Sequence, residues 1–235
     1  MNIADIPVAL LAGGLATRLR PITETIPKAM VEICGRPFID HQLRLLHRNG
    51  VRRVVLCLGY LGEQVQAHLG DGAALGMELR YSFDGPQLLG TGGALLRAAP
   101  LLGPVFWVLY GDSYLEIEYQ AVLAHFAQAG AQGLMTVLEN ANRWDGSNAL
   151  FRNGELLRYD KRQPTPDMTF IDYGAALLRE SVLARIPPDR AADLADLYHD
   201  LVEERAMIGY EVTQRFYEIG SHTGLAEIKT YLCGS

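Results

Sequence analysis

Five short apolar runs alternate with helical patterns in the first 140 residues, and this alternation constrains the fold more than any other feature. The runs are rich in Val and Leu and span 8–12, 51–58, 77–83, 105–110 and 134–138. Mostly apolar runs of this length are typical of strands that are covered on both faces. Strands separated by helices and short connections predict an α/β fold with a Rossmann-like, mostly parallel sheet and helices on both faces.

The second half has a different pattern. Asn153-Gly154 lies between two short apolar segments, which predicts a β-hairpin. Strands are expected at 170–178 and 211–219, and helices at 181–186, 194–207 and 224–232. Because no repeat or flexible linker separates the halves, we expect a single domain, 1–235, in which residues 140–235 form a small mixed α/β cap on residues 1–139.

Charge and cysteine content narrow the class of protein. The net charge of −6 argues against a surface that coats nucleic acid, and no apolar run approaches the ~20 residues that span a bilayer. Cys34, Cys57 and Cys233 are widely spaced and match no metal or redox motif, so we expect reduced thiols. Residues 1–7 lack the basic start of a secretion signal. These features predict a cytoplasmic protein with no nucleic-acid or membrane partner.

A glycine loop with two cations follows the first predicted strand. The loop and its flank contain Leu11, Ala12, Gly13, Gly14, Leu15, Ala16, Thr17, Arg18 and, after Pro27, Lys28. Adjacent glycines let backbone N–H groups approach a ligand, and successive N–H groups form an anion-binding nest. The Walker loop is excluded because no Gly-Lys-Ser/Thr follows, and the dinucleotide fingerprint lacks its third glycine, which weakens a dehydrogenase assignment. An ordinary tight turn remains the alternative to a polyphosphate cradle.

Two further segments lie where ligands of such sheets bind, at the carboxyl ends of strands. Asp112 ends the 105–110 run and suits Mg²⁺, which favours one or two carboxylates plus phosphate oxygens. An aspartate that caps the next helix is the alternative. Gln87 and Gly92 lie in a glycine-rich segment before a helix, where an amide could read a base edge. A turn that only caps that helix is the alternative there.

The segment from Leu11 to Lys28 resembles the signature of the sugar-phosphate nucleotidyltransferases, roughly L-A-G-G-x-G-T-R-L-x-P-L-T followed by P-K-x-M. Ala16 stands where glycine is usual, and a positive φ there would strain alanine. The resemblance implies a glycosyltransferase-A-like fold with a nucleotide-binding half, 1–139, and a sugar-phosphate-binding half, 140–235. It also implies that Leu11, Ala12, Gly13, Gly14, Thr17, Gln87, Gly92 and Asp112 bind the nucleotide.

Later motifs resemble the family in order and spacing, with departures. Glu218 stands where the family has its second metal aspartate, beside Asp112. Tyr159-Asp160-Lys161 resembles the element whose lysine holds the sugar phosphate. Asp172 and Gly174 resemble the segment that contacts sugar hydroxyls, where asparagine is more common than Asp172. Asn148 is placed in the same pocket. Together these imply sugar-phosphate binding by Asn148, Asp160, Lys161, Asp172 and Gly174.

The resemblance implies transfer of a nucleotidyl group from a nucleoside triphosphate to a sugar 1-phosphate, with Mg²⁺ as cofactor and pyrophosphate as by-product. Arg18 would stabilise the departing pyrophosphate and Lys28 the triphosphate. The nearest resemblance is to bacterial guanylyltransferases acting on heptose or mannose 1-phosphate, which supply cell-surface polysaccharides. Uridylyl or cytidylyl transfer to another sugar 1-phosphate or phosphocholine stays open, as does a non-catalytic nucleotide-sugar-binding regulator. A homodimer is the first candidate for the assembly.

Overall fold

A nine-stranded mixed sheet runs through the molecule, whose computed structural model describes residues 1–188 and 190–234. The long strands are β1 (Val8–Leu11), β4 (Arg53–Leu58), β5 (Glu78–Phe83), β6 (Val105–Tyr110), β8 (Gly133–Glu139), β9 (Ala149–Arg152), β10 (Glu155–Tyr159), β11 (Phe170–Arg179) and β12 (Met207–Val212). Two short antiparallel pairs lie outside it: the hairpin of β2 (Glu32–Ile33) with β3 (Arg36–Pro37), and β7 (Ser113–Tyr114) with the distant β13 (Tyr217–Glu218).

The described residues form six α-helices. They are α1 (Phe38–Arg48), α2 (Gly62–Leu69), α3 (Gly90–Ala98), α4 (Tyr119–Ala129), α5 (Leu194–Glu203) and α6 (His222–Cys233). Within the described residues, no helix combines the length and apolar character that crossing a bilayer requires. The predicted helix at 181–186 is a 3₁₀ helix, Glu180–Arg185.

Four strands from the first half of the chain pair in parallel, in the order β5, β4, β1 and β6. Next to β6 lies β11, which is antiparallel both to β6 and to β8. The central strand β1 therefore has a parallel neighbour on each side, as strand–helix alternation predicts. This arrangement confirms the predicted α/β class, and β11 joins the two halves of the chain in one sheet.

The period of two along β1 divides the core between the faces of the sheet. Val8 and Leu10 belong to one buried cluster, while Ala9 and Leu11 belong to another on the opposite face. All four side chains are buried. A third, smaller cluster packs α6 against the β2–β3 hairpin and α1. The sheet thus holds the loop after β1 between two packed layers.

The cysteine prediction is wrong for two of the three thiols. Cys34, in the turn between β2 and β3, forms a disulfide with Cys233, the last residue of α6, and the two Cα atoms are 5.7 Å apart. Cys57 is a free, buried thiol, as expected. Positions 199 residues apart give no spacing signal. Their proximity comes from the packing of α6 on the hairpin, which the sequence does not reveal.

Candidate functional site

Three glycines bring together the loops that follow β1, β4 and β6. The amide of Tyr60 donates to the carbonyl of Gly13 at 3.3 Å, and that of Gly111 donates to Leu11 at 2.8 Å. A Cβ on Gly59 would lie 2.5 Å from the Gly13 oxygen, and one on Gly111 would lie 2.6 Å from Cβ of Ala12. The close approach therefore requires glycine at 59 and 111, two positions that the sequence analysis did not single out.

Within this loop, the two predicted glycines have different surroundings. A Cβ on Gly13 would lie 3.0 Å from the backbone nitrogen of Gly59, so Gly13 packs against protein. Gly14 has no neighbouring atom within 4 Å of such a Cβ, which leaves space for a ligand. Ala16 adopts the left-handed conformation that its family position suggested, with φ 49°. Its carbonyl accepts from the Thr23 hydroxyl at 2.8 Å, which helps to hold the strained turn.

The predicted cations and carboxylates come together beside the glycine loop. The Nζ atom of Lys28 lies 2.7 Å from Oδ2 of Asp112. Glu218, on β13, pairs in register with Ser113, and the amide of Ile219 donates to the carbonyl of Asp112 at 2.9 Å. Tertiary folding has therefore placed a residue near the end of the chain next to Asp112.

Electrostatics confirm that these groups form one cluster. Burial raises the pKa of Glu218, the negative charge of Asp112 raises it further, and the positive charges of Arg18 and Lys28 lower it. A Cβ on Gly220 would lie 2.6 Å from Oε2 of Glu218 and 3.1 Å from Nη2 of Arg18. Glu218 and Arg18 therefore both flank Gly220, and Glu218 lies near enough to Asp112 and Lys28 for their charges to interact.

Asp112 and Glu218 are a suitable donor set for Mg²⁺. This ion commonly takes one or two carboxylates and fills its other positions with water and phosphate oxygens. In the described part of the chain no cluster of three or more His, Cys, Asp or Glu side chains converges, so the remaining ligands would come from substrate and solvent. The raised pKa of Glu218 also fits, because a bound cation would relieve the repulsion from Asp112.

Gln42 is a positioning residue that sequence reasoning missed. Its side chain is 1% exposed, and its amide nitrogen donates to the carbonyls of Tyr110 and Ser113, each at 2.8 Å. These two carbonyls bracket Asp112. A glutamine on the apolar face of α1 is the signal that could have been noticed, since a buried amide needs partners.

A cavity of about 240 Å³ opens between the glycine loop and the start of α3. Of the predicted nucleotide-binding residues, Leu11, Ala12, Gly13, Gly14, Lys28 and Asp112 line it. Thr17 and Gln87 are exposed and lie outside the lining, as does Gly92, whose amide donates to the Ala192 carbonyl at 2.8 Å. Asp84, Cys57 and Tyr110, which the sequence analysis did not select, line the cavity.

The predicted sugar-phosphate residues meet at the start of β11. The Oδ1 atom of Asn148 accepts from the amide of Asp172 at 2.8 Å, and its own carbonyl accepts from Asp160 at 2.9 Å. Asp172 accepts from Gly174 at 2.9 Å, within a bulge where Gly174 has φ 98°. Asn148 thus ties its own segment to the two segments that carry Asp160 and the pair Asp172 and Gly174.

Lys161 and Asp172 are close enough for their charges to interact, since Lys161 lowers the pKa of Asp172. Asp160 has a different role, because its Oδ1 accepts from the amides of Arg162 and Gln163 and thereby shapes the turn that presents Lys161. Those hydrogen bonds lower the pKa of Asp160. The turn therefore fixes the backbone of Lys161 and leaves its side chain exposed to solvent.

Tyr110 connects the two parts of the site. It lines the cavity, and a Cβ on Gly174 would lie 3.5 Å from its ring. Burial raises the pKa of Tyr110, and the charges of Asp172 and Asp112 raise it further. A neutral ring thus lies between the group predicted to bind the sugar and the group predicted to bind the metal.

Asp172 gives a stability prediction whose sign follows from its pKa. Burial raises the pKa of Asp172 to about 6, against the opposing effects of the Gly174 amide and Lys161. The folded protein therefore holds this proton more tightly than the unfolded chain, and the resulting stability is lost as pH rises through 6. We expect Asp172→Asn to raise the free energy of unfolding more at pH 8 than at pH 5, with a difference of about 1–2 kcal/mol that thermal melts at the two pH values would show.

The control for this prediction is Asp196→Asn, which removes an exposed carboxylate that pairs with Arg162 at 2.7 Å. That variant should change the melting temperature little at either pH, because exposed ion pairs contribute about 0–1 kcal/mol. An Asp172→Asn variant that is destabilised equally at both pH values would contradict the assignment of a raised pKa.

Comparisons with known proteins agree with this geometry. A family model described as nucleotidyl transferase matches residues 8–145. A Synechocystis protein named UTP–glucose-1-phosphate uridylyltransferase is 28% identical over 211 residues, which are 83% of this chain and 54% of that protein. The catalytic subunit beta of mannose-1-phosphate guanylyltransferase from Danio rerio is 27% identical over 217 residues, 90% of this chain and 60% of the subunit.

Among solved structures, the similarity in fold extends over nearly the whole of both chains. HddC from Yersinia pseudotuberculosis, crystallised with GMP-PN, superimposes with a TM-score of 0.79 over 97% of this chain and 99% of HddC, at 24% identity. The chain spans 54–60% of the length of the two curated relatives. The α/β sheet has the same fold as this structure, and a glycine loop follows β1. Because the family model also matches more than half of its residues, the chain belongs to the nucleotidyl transferase family.

Proposed function

We propose that the protein transfers a nucleotidyl group from a nucleoside triphosphate to a sugar 1-phosphate. The observation that supports this most directly is the cluster of Arg18, Lys28, Asp112 and Glu218 beside the cavity. In the reaction, a phosphate oxygen of the sugar 1-phosphate forms a bond to the α-phosphorus, and the bond from that phosphorus to the α–β bridging oxygen breaks. Pyrophosphate leaves with the bridging oxygen.

The residues would act by position and charge, since no covalent intermediate with the protein is needed. Gly14 lets backbone N–H groups approach the triphosphate. Arg18 offsets the negative charge that develops on the departing pyrophosphate. Asp112 and Glu218 would hold Mg²⁺, which neutralises phosphate charge when bound. Lys28 pairs with Asp112 in the structure and would turn to the triphosphate on binding.

At the other end of the site, Lys161 would bind the attacking phosphate, and Asp172 would accept hydrogen bonds from sugar hydroxyls. The electrostatic effect of Lys161 on Asp172 supports their action on one ligand. Guanosine triphosphate with mannose or heptose 1-phosphate is the first substrate pair. Uridine triphosphate with glucose 1-phosphate is the second, because the named relatives include both base specificities. A guanosine-linked sugar would serve cell-surface polysaccharide synthesis.

Pyrophosphate release tests the proposal. We expect Mg²⁺-dependent release with one nucleoside triphosphate and one sugar 1-phosphate from a panel that covers guanosine, uridine, thymidine and cytidine triphosphates and several sugar phosphates. A chelator should abolish the release. Tight nucleotide binding with no release for any sugar phosphate or phosphocholine would contradict the proposal and favour a nucleotide-sugar-binding regulator.

A further inference from the structure

The Cys34–Cys233 disulfide plays no part in the chemistry described above, and both of its residues are exposed. Cys34 lies in the turn between β2 and β3, and Cys233 is the last residue of α6. A thiol from solution can therefore reach this bond. Exposed disulfides are typically the labile, regulatory or catalytic ones.

The cross-link is a substantial part of what holds α6 on the molecule. Of the twelve residues of this helix, three are buried, namely Gly224, Leu225 and Ile228. A helix of this length is marginal by itself and depends on tertiary contacts. Arg215 pairs with Glu227 of α6 at 2.6 Å, but both side chains are partly exposed, so this ion pair stabilises the docking only weakly. We therefore expect α6 to loosen when the disulfide opens.

The first turn of α6 packs directly against Glu218. A Cβ on Gly224 would lie 2.5 Å from the Glu218 carbonyl oxygen, so the helix approaches this backbone as closely as glycine allows. Ser221 caps the helix by accepting from the Gly224 amide at 3.0 Å. Ile219, next to Glu218, belongs to the same buried cluster as Leu225 of α6. A shift of α6 would therefore move the backbone that carries Glu218.

A second contact joins the disulfide end of α6 to the strand that carries Glu218. The ring of Tyr231 stacks on that of Tyr217, with centroids 4.3 Å apart and 19° between the planes. Tyr231 lies two residues before Cys233, and Tyr217 directly precedes Glu218 on β13. A chain of contacts thus runs from the disulfide through the stacked rings to Glu218.

The two candidate metal ligands differ in how firmly the fold holds them. Asp112 follows β6, which lies in the main sheet between β1 and β11. Glu218 lies on β13, a strand of two residues outside that sheet, which pairs with the equally short β7. So short a pair gives Glu218 little support, and the packing of α6 adds to it. The position of Glu218 relative to Asp112 therefore depends on α6.

We infer that the Cys34–Cys233 disulfide is a redox switch on the metal site. With the bond closed, α6 holds Glu218 beside Asp112. With the bond reduced, α6 loosens and the affinity for a divalent cation falls. The inference rests on the proposed function, in which Asp112 and Glu218 hold Mg²⁺ together, and it makes the oxidised protein the more active form at limiting Mg²⁺.

The switching reaction is thiol–disulfide exchange with a dithiol. A thiolate of the dithiol attacks one sulfur of the cross-link, the S–S bond breaks, and the other cysteine leaves as a thiolate that takes up a proton. The second thiol of the reductant then attacks the mixed disulfide and releases the second cysteine. In total, two electrons and two protons pass to Cys34 and Cys233, and the dithiol becomes a disulfide. Cys57 is already a free thiol and is buried, so it takes no part.

Metal binding to the folded protein tests the switch. Mn²⁺ suits the same carboxylate and water ligands as Mg²⁺, and electron paramagnetic resonance detects its binding. Reduction with dithiothreitol, which is then removed without oxygen, should raise the dissociation constant for Mn²⁺ about 10-fold, an effect typical of groups that orient metal ligands. The measurement is made below the melting temperature of the reduced protein, with circular dichroism as the check on folding. Pyrophosphate release at limiting Mg²⁺ should fall in parallel, and excess Mg²⁺ should restore most of it.

The matched control is the double variant Cys34→Ser/Cys233→Ser. It should bind Mn²⁺ as weakly as the reduced wild-type protein, and dithiothreitol should leave its affinity unchanged. Because this variant keeps Cys57, it also reports any effect of the reductant on that thiol. Thiol titration of the denatured wild-type protein should find one free thiol before reduction and three after it.

The stacked rings give a second test that leaves the disulfide closed. Tyr231→Ala removes the ring that packs on Tyr217, so it should weaken Mn²⁺ binding in the oxidised protein. Tyr231→Phe keeps the ring and should bind Mn²⁺ like the wild type, although it loses the hydrogen bond that the Tyr231 hydroxyl donates to Glu116. A purely structural role of the ring would lower the melting temperature of Tyr231→Ala and leave its affinity for Mn²⁺ unchanged.

The results separate the switch from the proposed function. Equal Mn²⁺ affinities of the oxidised and reduced proteins, both folded, would overturn the switch and leave the reaction intact. Weaker Mn²⁺ binding after reduction, with no pyrophosphate release for any sugar phosphate, would support the switch and overturn the reaction. A protein whose three thiols all stay free after treatment with oxidised glutathione would also overturn the switch.

Discussion

Asp112→Asn should lower kcat for pyrophosphate release by at least about 1000-fold while the protein stays folded. The substitution keeps the size of the side chain but removes the charge that pairs with Lys28 at 2.7 Å and that would hold Mg²⁺ with Glu218. Its side chain is 29% exposed, so the lost ion pair should cost the fold about 1 kcal/mol or less. Relief of the repulsion with Glu218 should offset part of that cost.

The control for Asp112 is Asp40→Asn. Asp40 is also a paired carboxylate, because its Oδ1 atom lies 2.8 Å from Nε2 of His68, but it lies on α1. Its substitution should leave kcat within about twofold of the wild type, since it touches no site residue. Measurements over a range of Mg²⁺ concentrations should show that excess metal does not restore Asp112→Asn. Activity near the wild-type level in this variant would rule out Asp112 as a metal ligand.

Arg18→Ala should lower kcat by about 100-fold or more, with a smaller change in nucleotide affinity. A cation that meets charge developing on the leaving pyrophosphate acts mainly in the transition state, where such stabilisation commonly contributes 10²–10³ in rate. Arg18 is exposed in the middle of the 3₁₀ helix Thr17–Leu19, near Glu218, so its removal should not unfold the protein. Added guanidinium should restore part of the rate by occupying the vacated position.

Arg20→Ala provides the comparison for Arg18. Arg20 is exposed and lies two residues further along the same loop. Its removal alters the net charge of the loop by the same amount, so a purely long-range electrostatic effect would appear in both variants. Loss confined to Arg18→Ala, with rescue by guanidinium, supports a local role. Equal losses in the two variants would refute the proposed contact with pyrophosphate.

The parallel half of the fold could be predicted because each of its strands is defined locally. The predicted run 105–110 coincides with β6, and the predicted run 134–138 lies within β8. Hydrophobic continuity, glycine stops and helical spacing are all short-range signals. They do not depend on which strand lies next to which.

The second half was harder because its boundaries depend on tertiary pairing. The helix predicted over 194–207 ends at Glu203, and Arg205 then adopts a left-handed conformation with φ 58°. Met207 instead begins β12, which pairs in parallel with β8. The strand predicted over 211–219 is therefore two separate strands, β12 and β13. The helical pattern of apolar residues continues beyond Glu203, so the sequence alone does not mark the end of α5. The pairing of β12 with β8 determines where the chain leaves the helix.

The site shows the same limit. Glycines, cations and Asp112 form motifs with recognisable spacing, so their proximity to one another could be predicted. Asp84 lies in no motif, and it becomes informative only because folding buries it in the cavity beside an apolar wall. Gln42 is similar, since a single polar residue in a helix gives no indication that it bridges two carbonyls around Asp112.

The disulfide divides the covalent chain into a closed ring, residues 34–233, and a free amino-terminal arm, residues 1–33. A cut in any surface loop of the ring would leave both pieces joined, and the cross-link restricts the unfolded ring alone. The arm contains β1 and the glycine loop. The strand at the centre of the sheet, between β4 and β6, thus belongs to the part of the molecule that the cross-link does not hold. The cross-link therefore acts on β1 and the glycine loop only through the packing of the ring against them.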